Sequence, residues 1–183
     1  MTKFSTTAWV LHDLGLAAGF GGNLFGQLAM NPAVKVIESK RERGKVTHAA
    51  WDRYKIVNGV ALAAMAGSWL IGRTFLTGKE VGRDARATTR IKDLLVGGAT
   101  VAGVGALITG TMLDRASGGA PVIESGSEPA AETPSRVARL QAMVNAFGAA
   151  RVLLEAGIVA TTAILAMQSG RSARWSFISR LLP

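Results

Sequence analysis

Cysteine is absent from the 183 residues. That excludes disulfides, thiolate metal sites and thiol nucleophiles, and leaves the compartment open. Histidine occurs only as His12 and His48, without the HExxH spacing of a zinc hydrolase. His48 lies in a polar connection, so a haem held between two histidines on apolar helices lacks its second ligand. Aromatics make up only 6% of a chain that is 49% hydrophobic, so the apolar content is aliphatic and small, with 22 glycines. Phosphate and dinucleotide loops are missing too. In GRTFLTGKE the two glycines, Gly72 and Gly78, stand one residue too far apart, and Lys79 precedes Glu80 instead of Ser or Thr. GVGALITG has no glycine three residues after Gly105 and follows no strand. No cofactor or metal ligand set is visible, which argues against an enzyme.

Charge is missing in long blocks. No charged residue occurs in 14–34, 56–72 or 94–113, runs of 21, 17 and 20 residues. A fourth apolar stretch, 143–167, is broken only by Arg151 and Glu155. About 20 helical residues cover the roughly 30 Å hydrocarbon core of a bilayer. The expectation is therefore an all-α, polytopic membrane protein. It forms one domain over 1–183, with four transmembrane helices over roughly 8–30, 56–76, 94–113 and 143–167. Its partner is the lipid bilayer; in a bacterial cell that means the inner membrane. The competing reading is a soluble alanine-rich bundle, which a mean hydropathy of only +0.28 keeps in play. The glycines oppose it. Each costs a soluble helix about 1 kcal/mol against alanine, whereas membrane helices use small residues to bring backbones together. Trp9, Trp51, Tyr54, Trp69 and Trp175 fall near span ends, where amphipathic rings sit at the headgroups. The first apolar run starts behind a single lysine, contains His12 and Asp13 and lacks a clear cleavage site, so it reads as a span and not as a leader.

The net charge of +9 lies in the connections. Residues 31–55 hold seven Lys or Arg and 73–93 hold six, so a nucleic-acid surface is not expected. Pro32 ends or bends the first helix. Residues 114–135 have the Gly, Ser, Pro and Glu content of a flexible loop, with Ser135 as the N-cap of the last helix. The tail, 169–183, is basic with interleaved apolar residues, which suits either a headgroup-facing segment or a frayed end. Orientation ties: either topology places 10 Lys and Arg on the cytoplasmic side.

Small residues recur four apart as Gly15 and Gly19, as Gly22 and Gly26, as Gly59, Ala63 and Gly67, and as Gly98, Ala102, Ala106 and Gly110. These are expected to be the seams through which the bundle packs. The first span also places His12, Asn23 and Gln27 on its small-residue face, where Asn23 and Gln27 are positioned to line a polar path. The fourth span poses the sharpest question. Arg151 and Glu155 are one turn apart and project from one side. Together they cost about 5–6 kcal/mol in hydrocarbon, against about 4 kcal/mol from nine larger apolar residues between Val144 and Leu165. The pair should face inward. Either it is a structural salt bridge, hydrogen-bonded by Asn23, Gln27 or His12, or Glu155 is a proton or ion site held by Arg151 and assisted by Asp13. The first reading fits an accessory or assembly component of a membrane complex, working with other membrane subunits or as a homo-oligomer. The second fits a small transporter or channel subunit.

Overall fold

In a computed structural model of the chain, the backbone is described for residues 3–73 and 83–172, and the side chains for 6–73 and 86–167. Parts of the second span (74–76) and most of the basic tail, with Trp175, lie outside the described residues. Helix dominates. α1 (Lys3–Phe25) passes through a π turn (Gly26–Met30), the one-turn α2 (Asn31–Ala33) and a 3-10 turn (Val34–Val36) into α3 (Lys40–Ile71); α4 (Arg83–Ser117) and α5 (Ser135–Ser172) follow. The exit from α1 is graded. The α pattern gives way at Gly26, before Pro32, and the Asn31 N–H reaches back to Gly26 O across the π turn. Ser39 caps α3 by accepting the Glu42 N–H at 3.3 Å. α5 begins at Ser135 itself, one residue earlier than a Ser135 cap requires.

α1 packs along α3 and α4 along α5, and the two pairs meet through α1 with α5 and α3 with α4. The central core joins Leu16, Leu62, Met65, Trp69, Val96, Ala99 and Ile158, drawn from all four long helices. Three of these helices are long and apolar enough to cross a membrane: Lys40–Ile71, Arg86–Ser117 and Ser135–Met167. α1 is not among them, because His12, Asp13 and Asn23 dilute its hydropathy.

The seams are partly as expected. On α1 a Cβ at Gly15 would stand 2.6 Å from Ala61 O and 2.7 Å from Met65 N, so the α1 and α3 backbones touch there. Gly22 and Gly26 leave room for the rings of Tyr54 and Trp51. Gly98 lies against Leu154. By contrast, Gly59, Gly67 and Gly110 have open space where a Cβ would be. Among the described residues a side chain at Gly59 or Gly67 would therefore fill no seam; α3 packs through Asn58, Ala61, Leu62, Met65 and Trp69.

The connection expected to be a flexible loop is folded. Gly118 and Gly119, at φ of 61° and 74°, turn the chain out of α4. β1 (Ile123–Ser125) and β2 (Glu128–Pro129) then pair antiparallel. The hairpin docks on the first connection and on α5. Gly126 N–H donates to Asn31 O at 2.9 Å and Asn145 Nδ2 to Ser127 O at 2.6 Å. Arg43 donates to Glu124 O at 2.9 Å and to its carboxylate at 3.2 Å. The turn-forming composition and the acids that suggest flexibility are what shape the hairpin and tie it down. The same contacts put the first and third connections at one end of the bundle.

Candidate functional site

Arg151 and Glu155 lie on the inward stripe of α5 with Gln141, Ile158 and Thr161. Arg151 Nε donates to Glu155 Oε1 at 2.8 Å, and the two side chains are 1% and 0% exposed. Room for them comes from glycines of two other helices. A Cβ at Gly19 would stand 2.9 Å from both Arg151 Nη2 and Glu155 Oε1; one at Gly103 would stand 3.3 Å from Arg151 Nη1. Among the described residues Nη1, Nη2 and Glu155 Oε2 have no hydrogen-bond partner although all three are buried. Such a pair is held by Coulomb attraction at low dielectric with its hydrogen bonding incomplete.

The other expected site residues divide into two groups. Asn23 is buried; its Nδ2 donates to Gly19 O at 2.8 Å, at the very residue that touches the pair, and to Asn58 Oδ1 at 3.4 Å. Gln27 faces Gly148 of α5. Both line a cavity of about 140 Å³ between α1, α3, α4 and α5, with the hairpin at its end. Four further carboxamides also line it: Asn31, Asn58, Gln141 and Asn145. The partly exposed His48, Asp52, Lys55 and Asp114 stand at its mouth.

His12 and Asp13 do not join this group. His12 is buried and its Nδ1 donates to Met65 O at 2.8 Å, while Nε2 has no partner among the described residues. Asp13 is exposed one residue further round the helix. His12 instead belongs to a second buried polar cluster centred on Lys92. That lysine is 0% exposed, with its Nζ 4.3 Å from the Trp69 ring centroid and 5.2 Å from that of Trp9. It also donates to Thr162 Oγ1 at 2.6 Å. Cation–π attraction to two indoles and one hydroxyl thus replaces a carboxylate. Next to it, Asp93 accepts from Trp69 Nε1 at 2.9 Å and from Arg73 at 3.0 Å. Sequence reasoning singles out Trp9 and Trp69 but not Lys92, whose partners come from three other helices. The only local signal is its position at the head of the 94–113 run.

Among the described residues no three His, Asp or Glu side chains gather as a metal site. Neither a protein-family model, nor a curated protein, nor a solved structure matches this chain.

Proposed function

We propose that the chain is a four-span, multi-pass integral membrane protein that serves as an accessory or assembly component of a membrane complex. The inside-out distribution of side chains carries this reading. Arg151, Glu155 and Lys92 are at most 1% exposed, while Leu14, Phe25, Ile56, Leu94, Val101 and Leu153 are each more than half exposed. In water that surface would aggregate; in lipid it is solvated. Leu14 and Phe25 extend the apolar exterior onto α1, which supports α1 as the fourth span despite its dilute hydropathy. The unfilled small-residue seam of α3, Gly59 and Gly67, suits close approach by a helix of another subunit. The test has two stages. The protein should stay in the pellet after alkaline carbonate washing, and single cysteines at Ser39 and Ser127 should react alike with an impermeant thiol reagent from one side. A monodisperse soluble protein would sink the membrane reading, and opposite labelling the span count. Partners recovered in mild detergent should then be lost from Gly59→Leu.

The cavity favours a second reading, a small transporter or channel subunit that uses Glu155 and Arg151. Asn23, which lines the cavity with Asn58 and donates to that residue, also donates to Gly19 O next to the pair. In proteoliposomes with an internal pH dye, that reading expects proton flux that Glu155→Gln abolishes. Equal flux in wild type and variant removes it.

A further inference from the structure

The cavity has a size, a wall chemistry and two unanswered polar atoms, and together these define what it accepts. At about 140 Å³ it matches an apolar protein cavity known to admit one benzene-sized molecule. Trp51, Leu107, Leu113 and Val144 give it apolar walls. Two of its buried polar atoms lack partners among the described residues: Gln141 Oε1 and Thr47 Oγ1. Gln141 is 4% exposed, and its amide nitrogen is already committed to Ser125 O and Gly126 O, which fixes the carbonyl oxygen as the free group. A carbonyl oxygen only accepts, whereas a hydroxyl can donate or accept. Leaving them unpaired costs free energy that a ligand with matching groups recovers.

Charge excludes the alternatives. The charged residues at the mouth are already satisfied by one another: Asp114 binds His48 and Lys55, each at 3.0 Å, and Lys55 also binds Asp52 at 3.0 Å. Two carboxylates against one lysine leave at most one net negative charge among them, and it falls toward Asp52, whose side chain is 60% exposed and screened by solvent, so an ionic ligand at the buried end would enter uncompensated. We infer that this cavity is a binding site for a small neutral molecule, about the size of a substituted six-membered ring, that both donates and accepts hydrogen bonds. The inference does not depend on whether the protein acts as an assembly component or as a transporter subunit.

The test uses the full chain in lipid nanodiscs, with binding read by saturation-transfer NMR against empty nanodiscs. The probes are benzamide, benzoate and benzylammonium, alike in size and different in charge. Benzamide should bind at least about tenfold more tightly than either ion. Gly110→Leu fills the cavity from a position where a Cβ meets nothing within 4 Å, so it should fold and weaken benzamide by about tenfold or more. Gln141→Leu should weaken it as well. Absent benzamide binding, equal binding of the three probes, or full binding by folded Gly110→Leu would each overturn the inference. Should a variant fail to fold, the ranking of the probes on the wild-type chain still decides.

Discussion

Among the described residues two cations are buried in this bundle, Arg151 and Lys92, and the protein accommodates them in different ways. Arg151 carries its own counter-ion one helical turn along α5, at 2.8 Å, and needs from other helices only the absence of side chains at Gly19 and Gly103. Among the described residues Lys92 has no carboxylate on its nitrogen and draws on Trp9, Trp69 and Thr162, one from each of the other long helices. A local solution neutralises the charge before the bundle assembles; a distributed one exists only afterwards. The first site should therefore be sensitive to its partner's charge, and the second to the fit of the aromatic rings.

The largest effect is expected at the ion pair. Glu155→Gln leaves Arg151 buried and unpaired and should destabilise the protein in detergent by about 3–5 kcal/mol. Arg151→Leu should cost less, because a carboxyl stripped of its partner can take up a proton and become neutral. The double replacement, Arg151→Leu with Glu155→Leu, should recover most of the loss or exceed wild type. Thermal unfolding of these proteins together with the single Glu155→Leu closes the cycle. Strictly additive single effects would refute the pairing.

At Lys92 the corresponding break is made in a ring. Trp69→Leu removes the nearer indole face and its bond to Asp93, and should cost about 2–3 kcal/mol in the same unfolding assay. Trp69→Phe keeps a face over the ammonium and should cost about 1 kcal/mol. Adding Lys92→Met to Trp69→Leu should restore part of the loss, because no buried cation short of a partner then remains in the core. If Lys92→Met is as harmful in that background as alone, the rings do not hold the cation and the contrast between the two sites fails.

The same contrast explains what was legible in the sequence. The long helices and the inward pair are set by uncharged run lengths and by an i, i+4 spacing, both local. The small face of α1 was legible for the same reason, since Gly15, Gly19, Gly22 and Gly26 recur at helical intervals and all lie against other elements. Spacing alone misleads on α3, where Gly59, Ala63 and Gly67 form an equally regular seam, yet a Cβ at Gly59 or Gly67 would meet nothing within 4 Å among the described residues. The hairpin, the Lys92 cluster and the cavity were not legible. Their contacts join residues far apart in the chain, such as Arg43 with Glu124, Lys92 with Thr162 and Gln141 with Ser125. Nothing in composition distinguishes a loop whose acids are free from one whose acids already have partners.

A smaller effect is expected from packing around the pair. Gly19→Ala puts a methyl group 2.9 Å from Arg151 Nη2 and Glu155 Oε1, so α1 or the pair must shift. A loss of about 1–3 kcal/mol is expected in thermal unfolding. Gly59→Ala meets open space and should be neutral or stabilising by up to about 1 kcal/mol. Equal effects of the two replacements would mean that α1 does not press on the pair.

The smallest effect is expected where ion pairs are exposed, and there the buried pair and the hairpin should part company in salt and acid. Hydrogen bonding to Lys40 holds the Glu124 carboxyl below its ordinary value of 4.5, and Lys35 does the same for Glu128. Glu132 is lowered by a bond from its own backbone and then by Lys40. A carboxyl whose folded value is depressed binds fewer protons folded than unfolded, so its contribution is complete above about pH 4.5 and falls away as pH drops through the folded value. These side chains are roughly half exposed, so salt should weaken them as well. The hairpin would still hold at low pH through uncharged bonds, from Gly126 N–H to Asn31 O and from Asn145 to Ser127 O. The expected result is a modest loss of hydrogen-exchange protection at the Gly126 amide, relative to its intrinsic rate, on going from pH 6 to about pH 3.5, with a similar loss at pH 6 on raising salt to about 1 M. Amides beside Arg151 and Glu155, shielded from both ions and water, should show neither response. Protection at Gly126 that ignores both treatments would show that the neutral bonds alone dock the hairpin and that the acids opposite Lys35, Lys40 and Arg43 contribute nothing to it.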